Sequence, residues 1–303
     1  MISTRTVSEH RLAEASSGPY GVAVTGDAAV WFTLVNDGAV CRRDPNGTVT
    51  TARIESGPSR PSLLVAATED SVWATDTTGN RILRVGTTGS GAEVLTTIAV
   101  PTENAGPFGI TSLSDGTAWF TEMTADAVGR IDILGRVTEF PLGTSGGTAS
   151  MIAASGEGLW FTLTQENAIG HIRGGDAAVR LMPLPTPAAG PAGIAVADDG
   201  TVWFTEPLAG QLGRVGRDGA ITEFALPDRA SKPHAITADP AGGCWFTLWG
   251  SNQVGRIVAG TDGETSIELV DLPTPDSEPR GLAVAPDGTV WVALGMGALA
   301  EIH

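Results

Sequence analysis

Cysteine, tyrosine and basic side chains are scarce in this chain of 303 residues. It has two cysteines and one tyrosine, and its 18 lysines and arginines face 34 acidic side chains, which gives a net charge of −16. This charge repels phosphate backbones and anionic lipid surfaces. The composition therefore argues against binding to nucleic acids or to membrane surfaces.

Long apolar runs are absent as well. No stretch approaches ~18 consecutive apolar residues, the length needed to cross a bilayer as a helix. Residues 1–17 lack the apolar run of a secretory signal. We expect a soluble, cytoplasmic protein and a monomer.

What the chain does contain is a sevenfold repeat marked by tryptophan. The repeat consists of Trp31, Trp73, Trp119, Trp160, Trp203, Trp245 and Trp291, separated by 42, 46, 41, 43, 42 and 46 residues. A proline stands twelve residues before six of them, and Thr148 takes that place in the fourth copy. The period is typical of a propeller blade with four short strands, and we expect the tryptophans to pack adjacent blades as wedges.

The seventh copy is incomplete, and the amino terminus offers the missing piece. Earlier copies continue into an outer strand such as Ile221 to Phe224, whereas the last copy stops at Ile302. The stretch from Thr4 to Glu14 has strand character. We predict an all-β, seven-bladed propeller of four-stranded antiparallel blades over residues 1–303, in which residues 1–17 supply the fourth strand of blade 7 and close the ring.

The two cysteines lie in copies that are not neighbours. Cys41 belongs to the first copy and Cys244 to the sixth, so their Cα atoms are expected to be too far apart for a disulfide. Two free thiols suit a reducing compartment.

Function in a repeat protein is expected where one copy departs from the others at an equivalent position. The residues before the proline position are Gly18, Arg60, Gly106, Gly147, Gly190, Lys232 and Glu278. Those after it are Tyr20, Ser62, Phe108, Ala149, Ala192, His234 and Arg280. Copies six, seven and one carry large polar or aromatic groups there and are neighbours in a closed ring. They predict a ligand site on one arc of the channel mouth, with Trp249, which lies outside the sevenfold set, as a further wall.

Two features leave alternatives open. His234 fits either a half-buried structural histidine or a ligand and acid–base residue. Three residues after the tryptophans stand Asp76, Glu122 and Glu206, which could bind a cation or lie solvated at strand ends. We favour solvated strand ends, because acidic residues are mostly exposed.

The repeated Pro-x-Gly-Ile/Val, Trp-Phe-Thr-Glu and Gly-Arg-Ile segments resemble those of the streptogramin B lyase (virginiamycin B lyase) family over essentially the whole chain. The resemblance implies a seven-bladed propeller that opens cyclic depsipeptide antibiotics and so gives antibiotic resistance. It implies an elimination across an ester, in which Mg²⁺ polarises the carbonyl side and a histidine removes the proton alpha to it. By this resemblance His234 is the substrate-contacting histidine and Trp249 the pocket tryptophan. The other expected ligand contacts are Tyr20, Phe108 and Lys232.

The base and metal positions depart from the family pattern. Glu278 matches one magnesium ligand, and Glu278 and Arg280 are expected to form a local ion pair worth at most ~1 kcal/mol if exposed. The catalytic base should directly follow Pro279, where this chain has Arg280, and the second metal carboxylate should stand four residues after Trp291, where it has Gly295. Arginine stays protonated at neutral pH and is a poor base. A single carboxylate should hold Mg²⁺ weakly.

Three hypotheses follow. The chain is a lyase that has moved its base, for example to His234, or that acts on another ester or lactone. Alternatively it is a catalytically silent propeller that binds a carboxylate through Arg280 and Lys232 or docks a protein at the channel. A calcium-dependent lactonase or hydrolase is the third hypothesis, although the sequence shows no central set of metal ligands.

Overall fold

Seven four-stranded antiparallel sheets are arranged as the blades of a propeller, in a computed structural model that describes residues 5–12, 14–89, 91–156, 158–173, 178–216, 218–259 and 265–303. Helical structure in these residues is limited to two 3-10 turns, Ala15–Ser17 and Arg229–Ser231. The predicted all-β, seven-bladed fold is confirmed. No helix of the described chain is long and apolar enough to cross a membrane.

The strands are numbered in chain order, and β1 is Val7–Arg11. Blades 1 and 2 contain β2 (Pro19–Val24), β3 (Val30–Leu34), β4 (Ala39–Arg43), β5 (Val49–Arg53), β6 (Pro61–Thr68), β7 (Ser71–Asp76), β8 (Arg81–Thr88) and β9 (Gly91–Ala99). Blades 3 and 4 contain β10 (Pro107–Ser112), β11 (Ala118–Glu122), β12 (Ala127–Ile131), β13 (Val137–Pro141), β14 (Ala149–Ser155), β15 (Gly158–Leu163), β16 (Ala168–Arg173) and β17 (Val179–Pro183). Blades 5 and 6 contain β18 (Ile194–Val196), β19 (Val202–Glu206), β20 (Gln211–Val215), β21 (Ile221–Ala225), β22 (Pro233–Ala238), β23 (Cys244–Leu248), β24 (Gln253–Ala259) and β25 (Thr265–Asp271). Blade 7 contains β26 (Pro279–Val284), β27 (Val290–Leu294), β28 (Ala298–Ile302) and β1.

The ring closes through the amino-terminal strand, as predicted. β1 pairs antiparallel with β28, from Val7 opposite Ile302 to Arg11 opposite Ala298. This pairing covers the edge of β28 that would otherwise be free. Of the segment assigned to closure, residues 1–4 and 13 lie outside the described residues.

The repeated tryptophan and phenylalanine pack in two different ways. Trp31 is buried and packs with Val72 and Leu83 of the next blade, as expected of a wedge. Phe120 lies against the glycine of its neighbouring strand, since a Cβ on Gly129 would stand 2.1 Å from the ring. The same contact recurs at Gly170, Gly213 and Gly255, which explains why glycine repeats at this position.

The innermost strands enclose a central channel. It has a volume of about 410 Å³ and is lined mostly by apolar side chains, among them Val22, Leu63, Ile110, Ile194 and Leu282. Cys41 and Cys244 are buried free thiols, as expected.

Candidate functional site

Six of the seven innermost strands start beside one end of the channel with a β-bulge. In blade 1 the pairing moves from Pro19 opposite Leu34 to Val22 opposite Phe32, so two residues of β2 face one of β3. Blades 2, 3, 4, 6 and 7 show the same shift. Bulges re-aim side chains. The first residue in each bulge is here called the mouth residue, and these are Tyr20, Ser62, Phe108, Ser150, His234 and Arg280, with Ala192 in the corresponding place of blade 5.

The prediction of Ala149 as the mouth residue of blade 4 was wrong. Ala149 pairs with Leu163 as Pro19 pairs with Leu34, so Ser150 is the residue that follows. The positions of Ala149 and Leu163 differ by 14 in sequence, whereas those of Pro19 and Leu34 differ by 15. Counting back from the tryptophan in this shorter hairpin therefore lands one residue early.

A threonine two residues after the tryptophan fixes the next blade's mouth residue. Its hydroxyl donates to that residue's carbonyl oxygen over 2.5–2.9 Å. The pairs are Thr33 with Ser62, Thr75 with Phe108, Thr121 with Ser150, Thr162 with Ala192, Thr205 with His234 and Thr247 with Arg280. Sequence reasoning missed this role, although the repeated Trp-x-Thr spacing carried the signal. Blade 7 has Ala293 at this position, so the carbonyl of Tyr20 receives no such bond.

Tyr20 reaches across the end of the channel from blade 1 to blades 3 and 6. Its ring centre lies 6.2 Å from that of Phe108 and 6.0 Å from that of His234, both edge to face. The Tyr20 hydroxyl lies 3.4 Å from Nε2 of His234. These three half-buried side chains meet across the ring and are here called the floor of the mouth.

The imidazole of His234 is neutral at pH 7. Burial and, secondly, the positive charge of Arg280 lower the pKa of His234 to about 4. Its Nδ1 atom is buried and has no hydrogen-bond partner among the described residues. His234 therefore carries no charge at the mouth, and its Nε2 faces the Tyr20 hydroxyl.

Arg280 lies between an acidic and two aromatic side chains. Its Nη2 is 2.8 Å from Oε2 of Glu278, so the expected local ion pair is present. The guanidinium carbon lies 4.8 Å from the ring centre of Trp249 and 6.0 Å from that of Tyr20. Nζ of Lys232 lies 5.0 Å from the centre of the same Trp249 ring. The structure thus brings together every residue predicted for the mouth: Tyr20, Phe108, Lys232, His234, Trp249, Glu278 and Arg280.

Two of these side chains are held at a cost in backbone energy. Lys232 and Glu278 have φ of 51° and 55°, in the left-handed region. Glycine occupies the corresponding places in blades 1, 3 and 5, as Gly18, Gly106 and Gly190. A residue with a Cβ costs roughly 1–2 kcal/mol in this conformation. The fold therefore places one cation and one anion at the mouth in spite of their unfavourable backbone conformation.

The residues at the mouth do not fit a magnesium ion. The Glu278 carboxylate is paired with the Arg280 guanidinium, whose positive charge opposes a divalent cation at the same place. A Cβ on Gly295 would stand 2.7 Å from Oε2 of Glu278 and 3.1 Å from its Cβ, so the Glu278 side chain lies where a second carboxylate would begin. Magnesium requires several oxygen ligands in near-octahedral geometry, and this arrangement offers one neutralised carboxylate.

The prediction of solvated strand ends at Asp76, Glu122 and Glu206 was wrong, because all three side chains are fully buried. Asp76 accepts a hydrogen bond of 2.7 Å from Nε of Arg81 and another of 2.7 Å from the backbone N–H of Arg60. The same position holds leucine in four blades, as Leu34, Leu163, Leu248 and Leu294. That recurrence was a signal of burial. No group of three or more His, Cys, Asp or Glu side chains that could hold a metal occurs in the described residues.

The two glutamates differ from Asp76 because neither forms an ion pair with a described residue. Burial raises the pKa of Glu122 to about 7, and the negative charge of Glu139 adds to this rise. Burial also raises the pKa of Glu206 to about 7, against the effect of a 2.8 Å hydrogen bond from Gln211. Both glutamates are therefore partly protonated near neutral pH.

Comparison with known proteins relates the whole chain to one family. Residues 5–302 match the family model described as the Virginiamycin B lyase family. A virginiamycin B lyase of Nocardia farcinica is 42% identical over 210 residues, which cover 67% of this chain and 68% of that protein.

Two crystal structures share the fold. The virginiamycin B lyase of Staphylococcus aureus superposes with a TM-score of 0.89 at 31% identity, covering 98% of this chain and 99% of the other. A catalytically inactive histidine-to-alanine variant of the Staphylococcus aureus enzyme, with quinupristin, gives a TM-score of 0.88 at 31% identity and the same coverage. With the family model spanning nearly all of its residues, this chain belongs to the virginiamycin B lyase family.

Proposed function

We propose that this chain binds a cyclic depsipeptide of the type B streptogramin class at the channel mouth and does not carry out a magnesium-assisted elimination. The observation that carries the proposal is the position of Arg280, 2.8 Å from Glu278 and 4.8 Å from the ring centre of Trp249. A permanent cation there replaces a group that would have to accept a proton, and it neutralises the carboxylate that a metal would need.

The aromatic side chains support a peptide ligand with apolar groups. Trp249 is 40% exposed, and Tyr20 and Phe108 are half-buried at the base of the mouth. Ligand sites typically combine such aromatic walls with a few polar groups that fix orientation. The relative crystallised with quinupristin makes a depsipeptide the first ligand to test.

A second candidate is ring opening without magnesium, with His234 as the base. Its imidazole is neutral at pH 7, and Arg280 is close enough to lower its pKa. His234 would take the proton alpha to the carbonyl, the electron pair would form the carbon–carbon double bond, and the ester C–O bond would break to release a carboxylate facing Arg280. Because a pKa of about 4 makes His234 a weak base, we expect this reaction to be slow and rank it second.

The test is to incubate the purified protein with a type B streptogramin, with Mg²⁺ or with a chelator. Binding is followed by calorimetry and thermal shift, and ring opening by chromatography and mass spectrometry, since elimination gives a linear product of unchanged mass. We expect saturable binding that is insensitive to Mg²⁺, and no product. A magnesium-dependent product would overturn the non-catalytic proposal, a magnesium-independent product abolished by His234→Ala would establish the second candidate, and absence of binding would overturn both.

A double variant tests whether the replacements at Arg280 and Gly295 account for the lack of a magnesium site. The double variant Arg280→His with Gly295→Glu frees Glu278 from its cation and adds a carboxylate beside it. We expect Mg²⁺ to raise the melting temperature of this variant and not that of the parent. If Mg²⁺ stabilises neither protein, the loss of metal chemistry extends beyond these two positions.

A further inference from the structure

Positive charge is concentrated around one exposed indole in an otherwise acidic chain. Lys232 and Arg280 lie 5.0 Å and 4.8 Å from the ring centre of Trp249. Glu278 is paired with Arg280, and Lys232 forms no ion pair among the described residues. Two cations and one carboxylate leave this group with a net charge of +1, against −16 for the whole chain.

A third cation, Arg60, adds to the positive charge near Tyr20 at the floor of the mouth. Burial raises the pKa of Tyr20, and the positive charges of Arg280 and Arg60 oppose that rise. Arg60 comes from blade 2, on the other side of Tyr20 from Arg280 in blade 7. Its side chain is exposed, as is that of Lys232.

The cations at the mouth retain donors for a ligand. A guanidinium has five N–H groups, and the hydrogen bond to Glu278 uses one at Nη2. The Arg280 side chain is 24% exposed, so its remaining donors are not all enclosed by protein. Lys232 contributes three ammonium donors that face solvent. These groups are arranged for an anion that reaches Trp249 from the solvent side.

The chemistry of this anion follows from its neighbours. A planar guanidinium matches a carboxylate in geometry and charge. The surrounding Tyr20, Phe108 and Trp249 favour an aromatic group attached to that carboxylate. Glu278 neutralises one of the two positive charges of Arg280 and Lys232. The remaining positive charge can pair with one singly charged anion.

We infer that the mouth selects ligands that carry a free carboxylate beside an aromatic ring, so that an open-chain peptide acid binds more tightly than its neutral ester or amide. This rests on the proposed function only in placing the ligand at the same mouth.

The experiment compares matched acid and neutral probes. N-acetyl-L-phenylalanine and its amide are titrated by ligand-observed NMR, and an intact type B streptogramin and its alkaline hydrolysis product by calorimetry. We expect the acid of each pair to bind about tenfold more tightly at low salt, as one charge-assisted hydrogen-bonded contact provides. The preference should fall as salt is added, because the cations are partly exposed.

Variants identify the group responsible. Arg280→Gln should remove the preference for the acid, and Arg280→Lys should keep part of it because the charge remains without the planar fork. Lys232→Gln should reduce it about threefold, as expected for an exposed charge. The matched control is Arg136→Gln, which removes one positive charge from the turn between β12 and β13, at the end of blade 3 away from the mouth, where Arg136 pairs with Asp132. Melting temperatures confirm that each variant is folded.

The outcomes separate this inference from the proposed function. Equal binding of acid and neutral probes, or an equal loss in Arg136→Gln and Arg280→Gln, overturns the carboxylate site even if the streptogramin binds. A preference for N-acetylphenylalanine over its amide, with no binding of either depsipeptide form, supports the carboxylate site and overturns the proposed ligand class. No binding of any probe overturns both.

Discussion

Polar residues that distinguish one blade from another lie in two different environments. At the mouth, blades 6 and 7 supply Lys232, Glu278 and Arg280, which contact one another or share Trp249, and blade 2 adds the exposed Arg60. The fully buried set is Asp76, Glu122 and Glu206 of blades 2, 3 and 5, at a position where blades 6, 7 and 1 have leucine. One framework therefore carries two kinds of variation. We expect the first kind to control ligand binding and the second to control stability and its dependence on pH.

The strongest test of this separation is Asp76→Ala. The substitution leaves the buried Arg81 guanidinium without its carboxylate at 2.7 Å, and breaking a buried ion pair from one side costs about 3–5 kcal/mol. Urea denaturation should show this loss in the free energy of unfolding, while the ligand affinity of the folded fraction stays the same. Asp76→Asn keeps the shape and should lose less. A loss below about 1 kcal/mol in Asp76→Ala would show that the pair is not stabilising.

Glu122→Gln should change the pH dependence of stability. The pKa of Glu122 is about 7 in the folded protein, above its ordinary value of 4.5, so the folded state binds more protons than the unfolded state between these values. Stability from this group is therefore present at pH 4.5 and is lost as pH rises toward 7. The variant should be more stable than the parent by roughly 2–3 kcal/mol at pH 8 and nearly equal at pH 5.

The measurement is the free energy of unfolding at both pH values. Glu206→Gln serves as the comparison, with a gain of similar size expected because the pKa of Glu206 is also about 7. Identical pH profiles for Glu122→Gln and the parent would show that Glu122 does not titrate in this range.

The blade count and the ring closure could be predicted because both depend on repetition. Tryptophan spacing gave the seven copies, and the missing outer strand of the last copy gave the role of residues 7–11. The arc of Lys232, His234, Glu278 and Arg280 followed from the same alignment, since blades 6 and 7 are neighbours in any closed ring.

Contacts across the ring between different blades could not be predicted from the sequence repeat. Tyr20 touches Phe108 of blade 3 and His234 of blade 6, which depends on channel width and on the direction of the bulge. Ser150 was missed because one hairpin is a residue shorter, and a fixed offset cannot detect that. The burial of Asp76 was misjudged because residue type was weighed above position, although leucine occupied that position in other copies.

Trp249→Ala tests the mouth side of the comparison. The indole is 40% exposed and contacts two cations, so its removal should lower ligand affinity about tenfold and change the free energy of unfolding by less than about 0.5 kcal/mol. Leu208→Ala is the matched control, since Leu208 is 78% exposed in the corresponding turn of blade 5. An equal loss of affinity in both variants would place the ligand elsewhere on this face.

The smallest expected effect concerns the contact between blades 7 and 1, where the ring closes. Ala293 stands where six blades have the threonine that bonds the next mouth residue, yet the backbone spacing is the same. A Cβ on Gly281 would lie 2.5 Å from the carbonyl oxygen of Tyr20, and a Cβ on Gly193 would lie 2.5 Å from that of His234. Ala293→Thr should therefore form the missing hydrogen bond and raise the free energy of unfolding by about 1 kcal/mol.

The control for this change is Ala293→Val, which has nearly the same shape and no hydroxyl. A gain in melting temperature of roughly 2–4 °C that is specific to threonine would show that the hydrogen bond forms, whereas equal gains would assign the effect to packing. The ligand affinity of Ala293→Thr then decides what the alanine does. If affinity falls while stability rises, the lack of a threonine bond to the Tyr20 carbonyl gives Tyr20 a freedom that binding requires. If affinity is unchanged, the contact between blades 7 and 1 differs from the other six only in stability.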